Sequence, residues 1–207
     1  MARCYSRIFN RFSGRIGKVI YYQVGDNLYA RRAPGEVKDC RSELQLYYRE
    51  RMRGTVTFYG VVWQTLLALV WQAVGRRKKR SAYNLFVQAN IRAFNGTSLL
   101  YDLVRFSSGS LGLPHDFRAY REGDKVRLTW ENEEMQSDER KEDELWCVVM
   151  MEDKNFRIAG PEETGAVRAD KAAVIELASE ERETVHLYCF FGAAGRDDFS
   201  ENLHFTL

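Results

Sequence analysis

The chain lacks the devices by which short sequences usually announce a function. Cysteine is scarce: the four, at 4, 40, 147 and 189, form no Cys-x-x-Cys pair, which excludes a zinc ribbon or a thioredoxin-like motif. Reduced thiols are the expectation, with Cys147 and Cys189 acting as small buried apolar groups. Proline occurs three times and no low-complexity tract is present, so a disordered or fibrous chain is excluded. His115, His186 and His204 are scattered, without a nucleophile elbow, a phosphate loop or a histidine pair at metal spacing. No catalytic, cofactor-binding or metal-binding residues are therefore expected, and the chain reads as a non-enzyme. The opening MARCYSRIFNRFSGR has no continuous apolar core, so no signal peptide is expected and the localisation inferred is cytoplasmic or virion-associated.

Acidic residues are scarce in the first half, and basic ones are outnumbered in the second. Residues 1–96 carry 18 Lys/Arg against 5 Asp/Glu, a net of +13, whereas residues 97–207 carry 13 against 24, a net of −11. A basic half of this kind meets phosphate, anionic lipid or an acidic protein surface, and opposite halves of neighbouring copies also attract one another. Arg3, Arg7, Arg11 and Arg15 form a stripe at four-residue spacing on an expected helix over 2–12, and Arg76, Arg77, Lys78, Lys79 and Arg80 form a basic run. These nine residues are the candidate anion or nucleic-acid contacts.

Charge of either sign is absent from residues 54–75, GTVTFYGVVWQTLLALVWQAVG. The length approaches that of a membrane span. Gln64, Thr65 and Gln72 would then lie in hydrocarbon and Lys/Arg crowd both ends, so a core helix is the better reading and a membrane partner is not expected. Trp63, Leu67 and Trp71 recur at helical spacing and predict one buried face shielded from solvent. Ser42 with Gln45 signals a helix start that carries Leu44, Tyr47 and Tyr48 toward a core, with Gly54 breaking or bending the helix. Ser81 precedes a third helix over 82–94.

Before these helices, residues 18–22 and 28–32 read as a hairpin about Val24-Gly25-Asp26-Asn27. After them the apolar period changes from helical to alternating. Strands are expected at 116–121, 125–131, 145–152, 155–158, 172–177, 184–191 and 202–206. The fold class is thus α+β: an N-terminal hairpin-plus-helices module (1–96), a linker (97–113) and a seven-stranded antiparallel β-sandwich (114–207).

The segment KVRLTWEN, with Trp130, and TVHLYCFFGAAG, with Tyr188, resemble the second and penultimate strands of fibronectin type III and immunoglobulin-like sandwiches. The resemblance implies that Trp130 fills the core and that Tyr188 stands at a tyrosine corner. The N-terminal half resembles a family of uncharacterised bacterial and prophage-encoded proteins. The residues that carry this are Phe12-Ser13-Gly14-Arg15-Ile16-Gly17, Tyr29-Ala30-Arg31, Asp39 to Gln45, Trp63 with Trp71, and Tyr83-Asn84-Leu85-Phe86 with Asn90. Cys40 stands where the family has proline. The resemblance implies a two-part architecture and a virion or assembly role, and no chemistry.

Both alternating sets of residues 145–151 and 187–191 are apolar, so the sheet they form should be covered on both faces. With Trp130, Trp146 and Tyr188 inward, Leu145, Cys147, Val149, Met151, Leu187, Cys189 and Phe191 become a candidate interface for the helices or a second subunit. A non-enzymatic structural or interaction protein, such as a phage virion or assembly component, is the favoured function. A nucleic-acid-binding protein using the basic half is the alternative.

Overall fold

The computed structural model describes residues 2–4, 13–35, 39, 41–96, 98–132, 138–178, 181 and 183–207. Chain contacts divide these into a unit ending at Ser42 and a second one from Glu43 to Leu207. The first is an antiparallel sheet of β1 (Ala2–Cys4), β2 (Gly14–Ile16), β3 (Val19–Val24) and β4 (Asn27–Arg32), in the order β1-β4-β3-β2. Gly17 and Gly25 each take a positive φ at the first position of a two-residue turn, the conformation that closes a tight hairpin with the twist of its strands. Ala2–Cys4 pair with β4 as a strand, not as the start of the helix expected over 2–12, because extended backbone there completes a ladder on a free edge. Residues 5–12 lie outside the described residues.

In the second unit, α1 (Glu43–Trp63) begins as the Ser42–Gln45 spacing expects but runs unbroken through Gly54. Gly54 marks a close approach instead: a Cβ there would lie 2.7 Å from Cδ1 of Phe94. The break comes at residues 64–66, where α2 (Leu67–Lys78) departs at 107°. Thr65 fixes this elbow, its hydroxyl donating to the Val62 carbonyl at 2.7 Å and accepting from the Leu67 N–H at 3.3 Å. Among the described residues no single helix is long and apolar enough to cross a membrane, although the bent pair passes together by length and composition. Next comes α3 (Ala82–Asn90), preceded by Ser81 in extended conformation.

A short hairpin, β5 (Phe94–Asn95) and β6 (Ser98–Leu99), leads into the segment expected to be a linker. That segment is structural. Val104 and Phe106 are fully buried, and two asparagine side chains clamp its backbone from opposite sides. Asn90 accepts from the Arg105 N–H (2.8 Å) and donates to the Arg105 carbonyl (2.9 Å). Asn202 accepts from the Phe106 N–H (2.9 Å) and donates to the Val104 carbonyl (3.2 Å). Each pair replaces the bonds a neighbouring strand would give.

All seven expected strands are present: β7 (His115–Glu122), β8 (Lys125–Glu131), β9 (Glu144–Met151), β10 (Phe156–Ala159), β11 (Ala172–Glu176), β12 (Val185–Gly192) and β13 (Leu203–Thr206), with one helical turn, α4 (Pro161–Thr164), after β10. They form a three-stranded antiparallel sheet, β11-β8-β7, and a four-stranded one, β10-β9-β12-β13. Val126, Leu128 and Trp130 of β8 alternate into a core shared by the two sheets. The fold is α+β, and its division falls at residue 42, before the helices, because α1, α2, α3 and β9 and β12 build one continuous core.

Candidate interaction surface

The sheet of β9 and β12 is covered on both faces, and the structure reverses the expected sides. Leu145, Cys147, Val149, Leu187, Cys189 and Phe191 are buried against the three-stranded sheet, beside Trp130, which stacks edge-on with Phe191 at 5.5 Å. Trp146, Val148, Met150, Tyr188 and Phe190 face the helices, with Phe58, Trp71 and Phe86. The candidate interface is therefore interior to the chain, apart from the half-buried Met151 at the strand end. Tyr188 makes no tyrosine corner: its hydroxyl donates to the Tyr101 carbonyl at 2.7 Å, in the clamped segment, and burial pushes its pKa far above the ordinary phenol value.

The nine basic candidates divide between the two units, with Arg3 and Arg15 in the first and residues 76–80 in the second. The backbone of Arg3 pairs with Tyr29 in the first unit, and Arg15 in β2 turns back to donate to the Gly17 carbonyl at 2.8 Å. Arg7 and Arg11 lie outside the described residues. Arg76, Arg77 and Lys78 form the last turn of α2, where cations complement the negative end of the helix dipole, and Lys79 takes the left-handed cap. All five of the run are exposed; Arg77 pairs with Asp198 and Arg80 donates to Gln88 at 3.0 Å.

The exposed apolar surface lies on α1. Its buried side carries Arg51, Thr55, Phe58 and Val62, of which Arg51 donates to the Ile91 carbonyl at 2.7 Å. Leu44 and Tyr48, expected in the core, are exposed, and Tyr47 is only half-buried, its hydroxyl 3.1 Å from Asn95. Tyr48 (52% exposed), Met52 (37%), Val56 (38%) and Trp63 (41%) follow with Tyr59 along one line of the helix, and Leu66 and Leu69 extend it around the elbow. Trp63 thus parts company with the buried Trp71, because the 107° bend turns them to different sides. Apolar residues three or four apart and this open to water, in a helix otherwise packed on a core, form a candidate contact surface. The other flank of α1 bears a cavity of 390 Å³ lined by Gly54, Phe58, Val61, Phe94 and Leu99 together with Thr57 and the charged Glu50, Arg53 and Lys154. It has the size and lining to take an apolar side chain of a partner.

Arg49, Arg51 and Arg53 interleave with the start of the stripe, and the basic run lies beyond its end. The uncharged segment visible in sequence carries the later part of the stripe, from Val56 onward. A buried and an exposed apolar stripe look identical in sequence, so nothing there identified the outer one.

The histidines offer little chemistry. His186 and His204 sit on β12 and β13 with Nδ1 and Nε2 3.0 Å apart, and the ring of Tyr101 stacks on His186 at 3.9 Å. Burial lowers the pKa of both, and for His204 the neighbouring His186 lowers it further. The Thr206 hydroxyl lies 3.4 Å from Nδ1 of His186. Among the described residues no three His, Cys, Asp or Glu side chains are placed to hold a metal.

No family model matches the chain, and no curated protein matches it. Among solved structures, the spore cortex lytic enzyme SleM of Clostridium perfringens aligns over 45% of this chain and 27% of its own, at 18% identity and a TM-score of 0.28. The alignment spans about a quarter of that enzyme, and a likeness so slight carries no argument about fold or activity.

Proposed function

We propose that the protein is a non-enzymatic assembly component, of the kind found in phage virions, that associates head to tail through the exposed face of α1 and the elbow. The occupant of that face is the acidic half of a second copy. The observation that carries this is the apolar stripe Tyr48–Met52–Val56–Trp63, exposed on a helix that also carries Arg49, Arg51 and Arg53 and is followed by the basic run that ends α2. Its charge surroundings are complemented by the net −11 of residues 97–207 of the same chain. Contact between unlike surfaces of identical chains is heterologous, and it builds rings or filaments instead of closed pairs. We read β7 to β13 as a fibronectin III-like sandwich; the strand orders β11-β8-β7 and β10-β9-β12-β13 support that reading.

Sedimentation velocity of the full chain over a salt series tests the proposal. At low salt and roughly 50 µM protein, oligomers larger than a dimer are expected, dissociating as salt screens the charges; Val56→Asp should leave the chain monomeric and folded. A wild-type chain that stays monomeric at low salt contradicts the proposal. If that monomer binds single-stranded DNA with a steep linear loss of affinity in log salt, the basic run is instead a nucleic-acid contact.

A further inference from the structure

Two of the residues expected to serve as apolar filler are placed for chemistry. Cys147 on β9 and Cys189 on β12 are direct cross-strand partners, both fully buried, with their sulfurs 3.5 Å apart. The type of site they occupy follows from the hydrogen bonds around them. Leu145 donates its N–H to Ala166, away from β12, and its partner Phe191 turns both N–H and carbonyl to Ser200, away from β9. At the other end Val185 exchanges both bonds with Leu207, again away from β9, and its partner Met151 donates to Asn155. In an antiparallel ladder the two kinds of pair alternate. The pair Cys147–Cys189, two residues from Leu145–Phe191, is therefore non-hydrogen-bonded, the kind whose Cα atoms lie about 4.5 Å apart with side chains closest. That spacing falls inside the range a disulfide spans, and only side-chain rotation separates the two sulfurs from bonding distance.

We infer that Cys147 and Cys189 are a redox-dependent modification site, closing to a cross-strand disulfide between β9 and β12 when the chain folds in an oxidising thiol–disulfide medium. The oxidant is a low-molecular-weight disulfide such as oxidised glutathione. One cysteine thiolate attacks it, releasing one glutathione thiolate and forming a mixed disulfide. The second cysteine then attacks the protein sulfur of that mixed disulfide, forming the Cys147–Cys189 bond and releasing the second glutathione. Two protein thiols are oxidised, one glutathione disulfide is reduced to two thiols, and the two protons pass to the released glutathione and the buffer.

Burial sets the timing. It raises the pKa of Cys147, with the neighbouring Cys189 adding to the rise, so the nucleophilic thiolate is scarce once the sheets have closed. The bond therefore forms before the two sheets seal the core, and once formed it is shielded from external reductant. The chain keeps a record of the medium in which it folded.

The test uses the full chain carrying Cys4→Ser and Cys40→Ser, so that only this pair remains. It is denatured, refolded in a glutathione redox buffer or in excess reductant, quenched with iodoacetamide under denaturing conditions and weighed intact. The oxidising arm should yield a monomer two hydrogens lighter that takes up no alkyl group. It should melt roughly 5–10 °C above the reducing arm and keep its bond in dithiothreitol until denatured. Cys147→Ala should fold in both buffers with one melting temperature and a single reactive thiol. Expression in an oxidising cytoplasm, followed by the same alkylation and weighing, serves if refolding fails. Two alkyl groups on the folded, oxidising-arm chain, or a bond between chains, would overturn the inference.

Discussion

The two faces of the β9–β12 sheet are both dry, and they are filled differently. Toward the three-stranded sheet aliphatic side chains and two thiols surround an aromatic cluster, with Phe191 5.5 Å from Trp130 and 6.3 Å from Phe117, and a buried ion pair closes the edge. Arg168 donates to Asp143 at 3.0 Å and to the Gly112 carbonyl at 2.8 Å while its guanidinium lies 4.5 Å from the Phe191 ring centre. Toward the helices the fill is aromatic: Phe86 lies 5.1 Å from Trp71, 5.2 Å from Tyr59 and 5.9 Å from Phe58. Broad rings fill both layers, and what sets the sheet–sheet layer apart is the ion pair Arg168–Asp143 buried at its edge. The difference teaches that the helices are half of this protein's core.

Truncation on the helix side should cost most. Phe86→Ala is expected to lower unfolding free energy by about 3–5 kcal/mol, read in urea, and to loosen the helices and the sheet together. On the other side, Arg168→Leu leaves the Asp143 carboxylate buried without its cation, at a cost of about 3–4 kcal/mol. Adding Asp143→Leu should recover most of that loss, a rescue the Phe86 truncation cannot show. Gly54→Ala is a smaller probe of the helix side: the new methyl presses on Phe94, and a loss of about 1–2 kcal/mol is expected despite the helix propensity gained.

The smallest effect comes from acid. Burial lowers the pKa of both His186 and His204 in the folded chain; Glu152 opposes the shift at His186, while at His204 the neighbouring His186 adds to it, Asp102 opposes it and Arg105 assists it. The unfolded chain then binds more protons, so stability is complete above the ordinary histidine value of 6.5 and falls as pH drops below it. His204→Gln should flatten the fall in urea midpoint between about pH 6.5 and 5.

Much of this architecture was legible in the sequence. The alternation of Val126, Leu128 and Trp130, and the turns between strands, located all seven strands to within a residue or two. The faces of β9 and β12 were not legible, because when both alternating sets are apolar the pattern cannot say which neighbour each meets. The domain boundary drawn at residue 96 followed charge, and charge lives on the surface, whereas continuity of a core depends on contacts such as Asn90 to Arg105 and Asn202 to Phe106. The bend was assigned to Gly54 by composition; the glycine serves a close contact, and the turn is made by the Thr65 hydroxyl. The stripe on α1 runs from a charged stretch into an uncharged one, and only the packing of Arg51, Thr55, Phe58 and Val62 shows which side faces out.

The claim on which the rest depends is that helices and sheets from Glu43 to Leu207 are one cooperative body. Native-state hydrogen exchange through a urea series measures this directly. The account predicts that the slowest amides of α2 and α3 and those of β9 and β12 converge on one opening free energy with one denaturant slope. Helical amides that exchange through a separate, lower-energy opening while β9 and β12 stay protected would contradict it, and would restore a boundary between the helices and the strands.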